Sequence, residues 1–170
     1  MMLATSAQAE CQLSLSHPTL NYGKVHDKDY TSQYKRWKTL NDREVQLTAI
    51  CDTAEKMAIF VQGGEQDDGF RFATDSIVLV EAANATLDGH SVMLGKTTSH
   101  APFALNGQGS NKMVLRDNDG LLPLSGNRIL EGKQFSVTLT VRPALSDRDT
   151  TAVHDRTTLE SNLHFTVETQ

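Results

Sequence analysis

The sequence predicts an all-β fold, a sandwich or barrel formed by a single domain. Three observations carry this. Several segments alternate apolar and polar residues with period two, the pattern of a strand with one buried face. Turn dipeptides fall in the gaps between them at fairly regular spacing. The one stretch open to a helical reading, Ser76 to Thr86, contains Ile77-Val78-Leu79-Val80 and reads better as a strand and turn.

The elements follow in chain order. Cys11, Leu13 and Leu15 share one face of a first strand. Val45, Leu47, Ala49 and Cys51 alternate with Glu44, Gln46 and Thr48 in the next clear one. Met57 to Val61 and Ile77 to Val80 are shorter and continuously apolar, as expected of strands covered on both faces. Phe135, Val137, Leu139 and Val141 alternate cleanly with Gln134, Ser136, Thr138, Thr140 and Arg142. Leu163, Phe165 and Val167 alternate with Asn162, His164, Thr166 and Glu168 in the last. Turn signals stand at Gly63-Gly64, Asp68-Gly69, Asp88-Gly89, Asn106-Gly107, Asp119-Gly120, Gly126-Asn127 and Glu131-Gly132. The polar run from Ala144 to Ser161 is long for a connection in a compact domain.

Composition narrows the function classes. A chain of 170 residues suits one domain with a real core, and 38% hydrophobic with 22% charged residues fits a globular protein. No run approaches the ~18 apolar residues of a membrane-spanning helix. A net charge of −5 gives no basic footprint for nucleic acid, and Lys35-Arg36-Trp37-Lys38 is too short a basic patch to supply one. Ala7-Gln8-Ala9 has the small-x-small form of a signal-peptidase site. Residues 1–9 are therefore expected to be a signal-peptide remnant and residues 10–170 the domain, with Glu10 first after cleavage.

The chain has two cysteines, Cys11 and Cys51. An even count behind an export-like leader predicts one disulfide formed in an oxidising compartment. Closing the loop of residues 12–50 is worth about 4 kcal/mol on the chain-entropy view. Both cysteines share a face with apolar neighbours, so the bond is a structural staple. The alternative is a pair of buried free thiols.

These residues together resemble subunits of chaperone–usher pili. A cysteine opens the first strand; "LNYGKV" (Leu20 to Val25) follows, then a loop, then "REVQLTAICD" (Arg43 to Asp52). "LEGKQFSVTLTVRP" precedes an alternating C-terminal strand, "NLHFTVETQ" (Asn162 to Gln170). The likeness runs from Glu10 to the end. Two features depart from the family: Thr169 stands where a tyrosine is usual, and the expected mature chain lacks an extension ahead of Cys11. The resemblance implies an immunoglobulin-like sandwich that lacks its last strand and receives one in trans. A periplasmic chaperone supplies it first, at an outer-membrane usher, and a neighbouring subunit later. Leu13, Leu15, Leu163, Phe165 and Val167 would then form the donor-strand acceptor edge. Without a donor extension of its own, the chain would sit at the fibre tip.

Chemical alternatives find little support. Six histidines, including His26 beside Asp27 and His154 beside Asp155, form no metal-binding unit. "RDNDG" (Arg116 to Gly120) resembles the start of a calcium loop, but its twelfth position, counted from Asp117, is Arg128. There is no nucleophile elbow and no phosphate loop, so no enzymatic activity and no cofactor are expected. All three tyrosines and the only tryptophan fall between Tyr22 and Trp37. Tyr30, Tyr34 and Trp37 are candidates for a receptor surface contacting a glycan or protein. The other reading is that Tyr22 and Trp37 close the sandwich. Two rival functions remain: a self-contained secreted or periplasmic immunoglobulin-like binding module, and, more remotely, a metal-dependent enzyme.

Overall fold

The computed structural model describes residues 11–18, 20, 30–72, 75–148 and 163–170. Residues 1–10, with the expected cleavage site, and residues 149–162, most of the long polar connection, lie outside them. Fourteen strands occur among the described residues: β1 (Cys11–Leu15), β2 (Ser32–Tyr34), β3 (Trp37–Thr39), β4 (Arg43–Gln62), β5 (Glu65–Gln66), β6 (Gly69–Phe72), β7 (Ser76–Leu87), β8 (His90–Ser91), β9 (Met93–Thr97), β10 (Lys112–Val114), β11 (Gly120–Ser125), β12 (Arg128–Ile129), β13 (Glu131–Leu145) and β14 (His164–Thr169). All pairings are antiparallel.

The long strand β4 organises the fold. Its first half lies between β1 and β13, and β13 in turn pairs with β7. Its second half lies between β14 and β11, with β9 beyond β11. One strand thus belongs to two layers. The sequence reads Val45–Cys51 and Met57–Val61 as separate strands because Asp52 to Lys56 is polar. The backbone nevertheless stays extended through those residues, where the chain crosses between layers.

The two layers face each other across one core. Val45, Leu47, Val80, Phe135, Val137 and Leu139 come from the first layer, and Ile59, Leu94, Leu121, Phe165 and Val167 from the second. Burying each such large side chain contributes roughly 1.5–3 kcal/mol. The sandwich expected from alternation is what the chain forms.

Strand β4 also explains the two kinds of apolar pattern. Along Val45 to Cys51 only alternate residues are buried, because the outer face is in water. Along Met57 to Val61 every residue is buried. Ile59 points to the core, while Ala58 and Phe60 lie under Phe103 and Leu122 on the outer side. The first layer has a similar outer cover, where Trp37 packs on Ile77 and Ala144. The Asp88-Gly89 signal is a two-residue turn between β7 and β8, with φ of 50° and 83°. Both central residues take the positive φ that twist-matched hairpin turns require.

Candidate functional site

The disulfide fixes the first edge. Cys11 and Cys51 are directly opposed in the β1–β4 ladder, with Cα atoms 4.0 Å apart, and their sulfurs are bonded. Leu13 then faces Ala49, and Leu15 faces Leu47. Both leucines are half-buried and pack against the core. Such a bond belongs to an oxidising, extracellular or periplasmic environment.

Strand β14 forms the second edge. It pairs with β4 from His164↔Gln62 to Thr169↔Met57. Among the described residues β4 is the only ladder partner of β1 and of β14, one in each layer. The two edge strands therefore lie on the same side of the sandwich. They approach each other with Cα atoms within 8 Å but do not pair. The acceptor residues expected from the sequence are thus brought together. Their exposure is the finer point: Leu163, Phe165 and Val167 are buried in the core, Phe165 to 2%. What this side offers is backbone edge with the half-buried Leu13 and Leu15, not a row of bare side chains.

On its outer face β14 is tied down by the segment after β9. His100 Nδ1 lies 2.6 Å from Glu168 Oε2, and the imidazole stacks on Phe60 at 4.4 Å between ring centres. The Phe103 amide donates to Gln170 Oε1 at 2.6 Å, and the Gln170 amide donates to the Lys56 carbonyl at 3.1 Å. Sequence reasoning missed this clasp. Nothing local to residues 98–104 signals that it will meet the C-terminal strand nearly seventy residues later.

The aromatic candidates separate. Tyr22 lies outside the described residues. Trp37 is 2% exposed, and its indole N–H donates to the Asp75 carbonyl at 3.1 Å. Its ring offers no free face while the β2–β3 hairpin is seated. Tyr30 and Tyr34 are half-buried. The Tyr34 hydroxyl donates to Asp68 Oδ2 at 2.8 Å, and Lys35 pairs with the same carboxylate. Arg36 lies over the Trp37 ring at 4.8 Å and reaches Asp67 and Asp75 at 3.6 and 3.7 Å. The hydrogen bonds from Lys35 and Tyr34 hold the Asp68 carboxyl below its ordinary range. The bond to Asp68 raises both the Tyr34 hydroxyl and the Lys35 ammonium above theirs. The interleaved basic residues thus latch the hairpin to the β5–β6 turn.

The "RDNDG" segment spends its carboxylates internally. Asp117 Oδ1 accepts from the Gly63 amide at 3.0 Å. Asp119 Oδ2 accepts from the Arg116 amide at 2.8 Å and from Lys96 Nζ at 3.1 Å. Among the described residues no three His, Cys, Asp or Glu side chains are grouped so as to hold a metal ion. His26, Asp27, His154 and Asp155 lie outside those residues.

No protein-family model matches the chain, and no solved structure matches it. It is similar to YhcE of Escherichia coli (strain K12), described as an uncharacterized protein, with 27% identity over 175 residues. The alignment covers 97% of this chain and 92% of that protein.

Proposed function

We propose that the chain is a structural subunit of a surface fibre of the chaperone–usher type, and that it accepts a β-strand from a partner along its β1/β14 side. One observation carries the reading. The two strands that border this side are regular, five and six residues long, and each pairs only with β4 among the described residues. Unsatisfied strand edges template further pairing. A strand added here would take up backbone hydrogen bonds and lay alternate side chains beside Leu13 and Leu15. The partners under this reading are a periplasmic chaperone, then an outer-membrane usher and a neighbouring subunit. The tip position expected from the first residues has no counterpart among the described ones, and receptor contact through the aromatic hairpin would involve Tyr30 and Tyr34 more than the seated Trp37.

A second reading, a self-contained immunoglobulin-like binding module, draws on the burial of Leu163, Phe165 and Val167 within this chain alone. The discriminating experiment is export of the chain with and without a periplasmic pilus chaperone. A subunit that needs a strand aggregates alone and elutes as a one-to-one complex with the chaperone. A soluble monomer that unfolds cooperatively and ignores the chaperone establishes the self-contained module instead.

A further inference from the structure

Asn106-Gly107, a turn signal in the sequence, lies in the segment that follows β9 and returns along its outer edge. The Asn106 amide donates to the Lys96 carbonyl at 2.8 Å. Further on, the Ser110 amide donates to the Leu94 carbonyl at 2.9 Å and the Leu94 amide to the Ser110 carbonyl at 2.8 Å. Gly107 therefore lies between the two points that fasten this cover to β9.

Three features make this peptide unit reactive toward itself. No other asparagine in the chain precedes a glycine. Both residues are exposed, and at the Gly107 φ of +74° the space where a Cβ would stand is empty. The Gly107 N–H makes no hydrogen bond to another described residue, so the nitrogen that must attack is unengaged. Against these stands one restraint. Asn106 Nδ2 donates to the exposed Thr98 hydroxyl at 3.0 Å, a single neutral hydrogen bond that slows reaction by only about fivefold.

We propose that Asn106 is a self-modification site, which cyclises onto Gly107 and converts to isoaspartate, and that this conversion uncovers the β9 edge. The Gly107 nitrogen bonds to Asn106 Cγ and the Cγ–Nδ2 bond breaks. The carboxamide nitrogen leaves as ammonia, taking up the Gly107 amide proton. Water then opens the imide: attack at Cγ gives aspartate, and attack at the main-chain carbonyl gives isoaspartate. Isoaspartate carries the main chain through the side-chain carbons, so the link from Asn106 to Ser110 lengthens by a carbon and gains a carboxylate beside it. The lengthened link cannot hold both fastenings in register, and an uncovered strand edge templates association. The site lies on the far edge of the second layer from β14, so it stands whether or not the strand-acceptor reading holds.

The test ages the full chain, purified from an oxidising compartment, in warm, mildly alkaline buffer. Peptide mass spectrometry locates the conversion, and an isoaspartate-specific methyltransferase identifies its product. Conversion at Asn106 should run at least about tenfold faster than at Asn84 and Asn127, since about 1.4 kcal/mol of barrier is tenfold. Those two are also exposed, but they precede Ala85 and Arg128, whose β-carbons crowd the attack. Asn106→Gln, which would have to close a larger ring, should stay unmodified over the same period. In the aged wild type, hydrogen exchange at the Leu94 and Ser110 amides should accelerate about fivefold or more, as for loss of one hydrogen bond. Light scattering should report association, and aged Asn106→Gln should show neither change. Unaltered exchange along β13 checks that the sandwich survives. Conversion at Asn106 no faster than at Asn84 overturns the proposal. So does conversion that leaves Leu94 and Ser110 exchange unchanged, or association that proceeds equally in Asn106→Gln.

Discussion

The two sides of the sandwich treat their edges differently. Away from β1 and β14, the outer flank of β7 is covered piecemeal by β6, β10 and β8, of four, three and two residues. The outer flank of β9 is crossed by the following segment, with Leu94 and Ser110 exchanging backbone hydrogen bonds and the Asn106 amide donating to Lys96. Short strands, a lysine on β10 and a crossing loop are ordinary ways to blunt an edge against association. The β1/β14 side lacks these devices among the described residues. Its strands are regular, and one is anchored by the disulfide. A fold that blunts one side and leaves the other regular has the asymmetry that directed strand pairing requires.

The largest expected effect comes from breaking the regular side. Phe165→Glu puts a charge into the core beneath β14, where an unpaired charge is very costly. It should abolish both accumulation and chaperone capture, whereas Phe165→Leu, costing less than about 1.5 kcal/mol, should keep both. An intact chaperone complex with Phe165→Glu at normal yield would remove β14 from the acceptor edge. Cys51→Ser comes next. Losing the staple should cost about 2–5 kcal/mol in denaturant unfolding. Two titratable thiols in the exported protein would refute the bond itself.

Much of this organisation is legible in the residues, for a physical reason. Where one face is buried and the other wet, burial imprints period two, so β13 and the first half of β4 can be read directly. Asp88-Gly89 is readable because few other residues tolerate its backbone. The doubly covered segments are readable as strands, but what covers them is not. Phe60 under Phe103 and His100 depends on contacts about forty residues apart in sequence. The β2–β3 turn at Lys35-Arg36 carries no glycine or asparagine, although Lys35 adopts a φ of 51°. The sequence therefore leaves Trp37 open between a receptor surface and a residue that closes the sandwich, and only its burial on Ile77 and Ala144 identifies it as the hairpin's anchor.

That anchor supplies a third prediction on the opposite side of the comparison. Trp37→Ala should cost about 2–3 kcal/mol, less than for a tryptophan in a central core, because the hairpin can peel away while the two layers stay packed. Hydrogen exchange should then accelerate at residues 31–40 and remain slow along β4 and β13. Uniform acceleration would mean that the hairpin is integral to the core.

The smallest effect is expected from the ionic latch. The Asp68 carboxyl sits below its ordinary value of 3.8, first through Lys35 and then through Tyr34, so its contribution is present above that value and fades as pH falls through the lowered one. Asp42, just before β4 and held down by its hydrogen bond from Arg142 of β13, behaves the same way, with Arg142 Nη2 2.7 Å from Asp42 Oδ2. Tyr34 and Lys35 are raised above 10.0 and 10.5, so their contributions are present below those values and fade as pH rises through the raised ones. The latch should therefore hold from about pH 4 to pH 10 and loosen outside that window. These are exposed pairs, screened by water and salt, so global stability should hardly change. The sensitive reporter is local: Trp37 fluorescence should shift toward that of a wetted indole in acid, before the sandwich unfolds. Asp68→Asn keeps the shape but removes the charge that Lys35 pairs with, so the wetted signal should already be present at neutral pH and the Asp68-dependent part of the acid shift should vanish. If wild type and Asp68→Asn respond to acid identically, the hairpin is held by Trp37 packing alone and the charges around it are only a solvated rim.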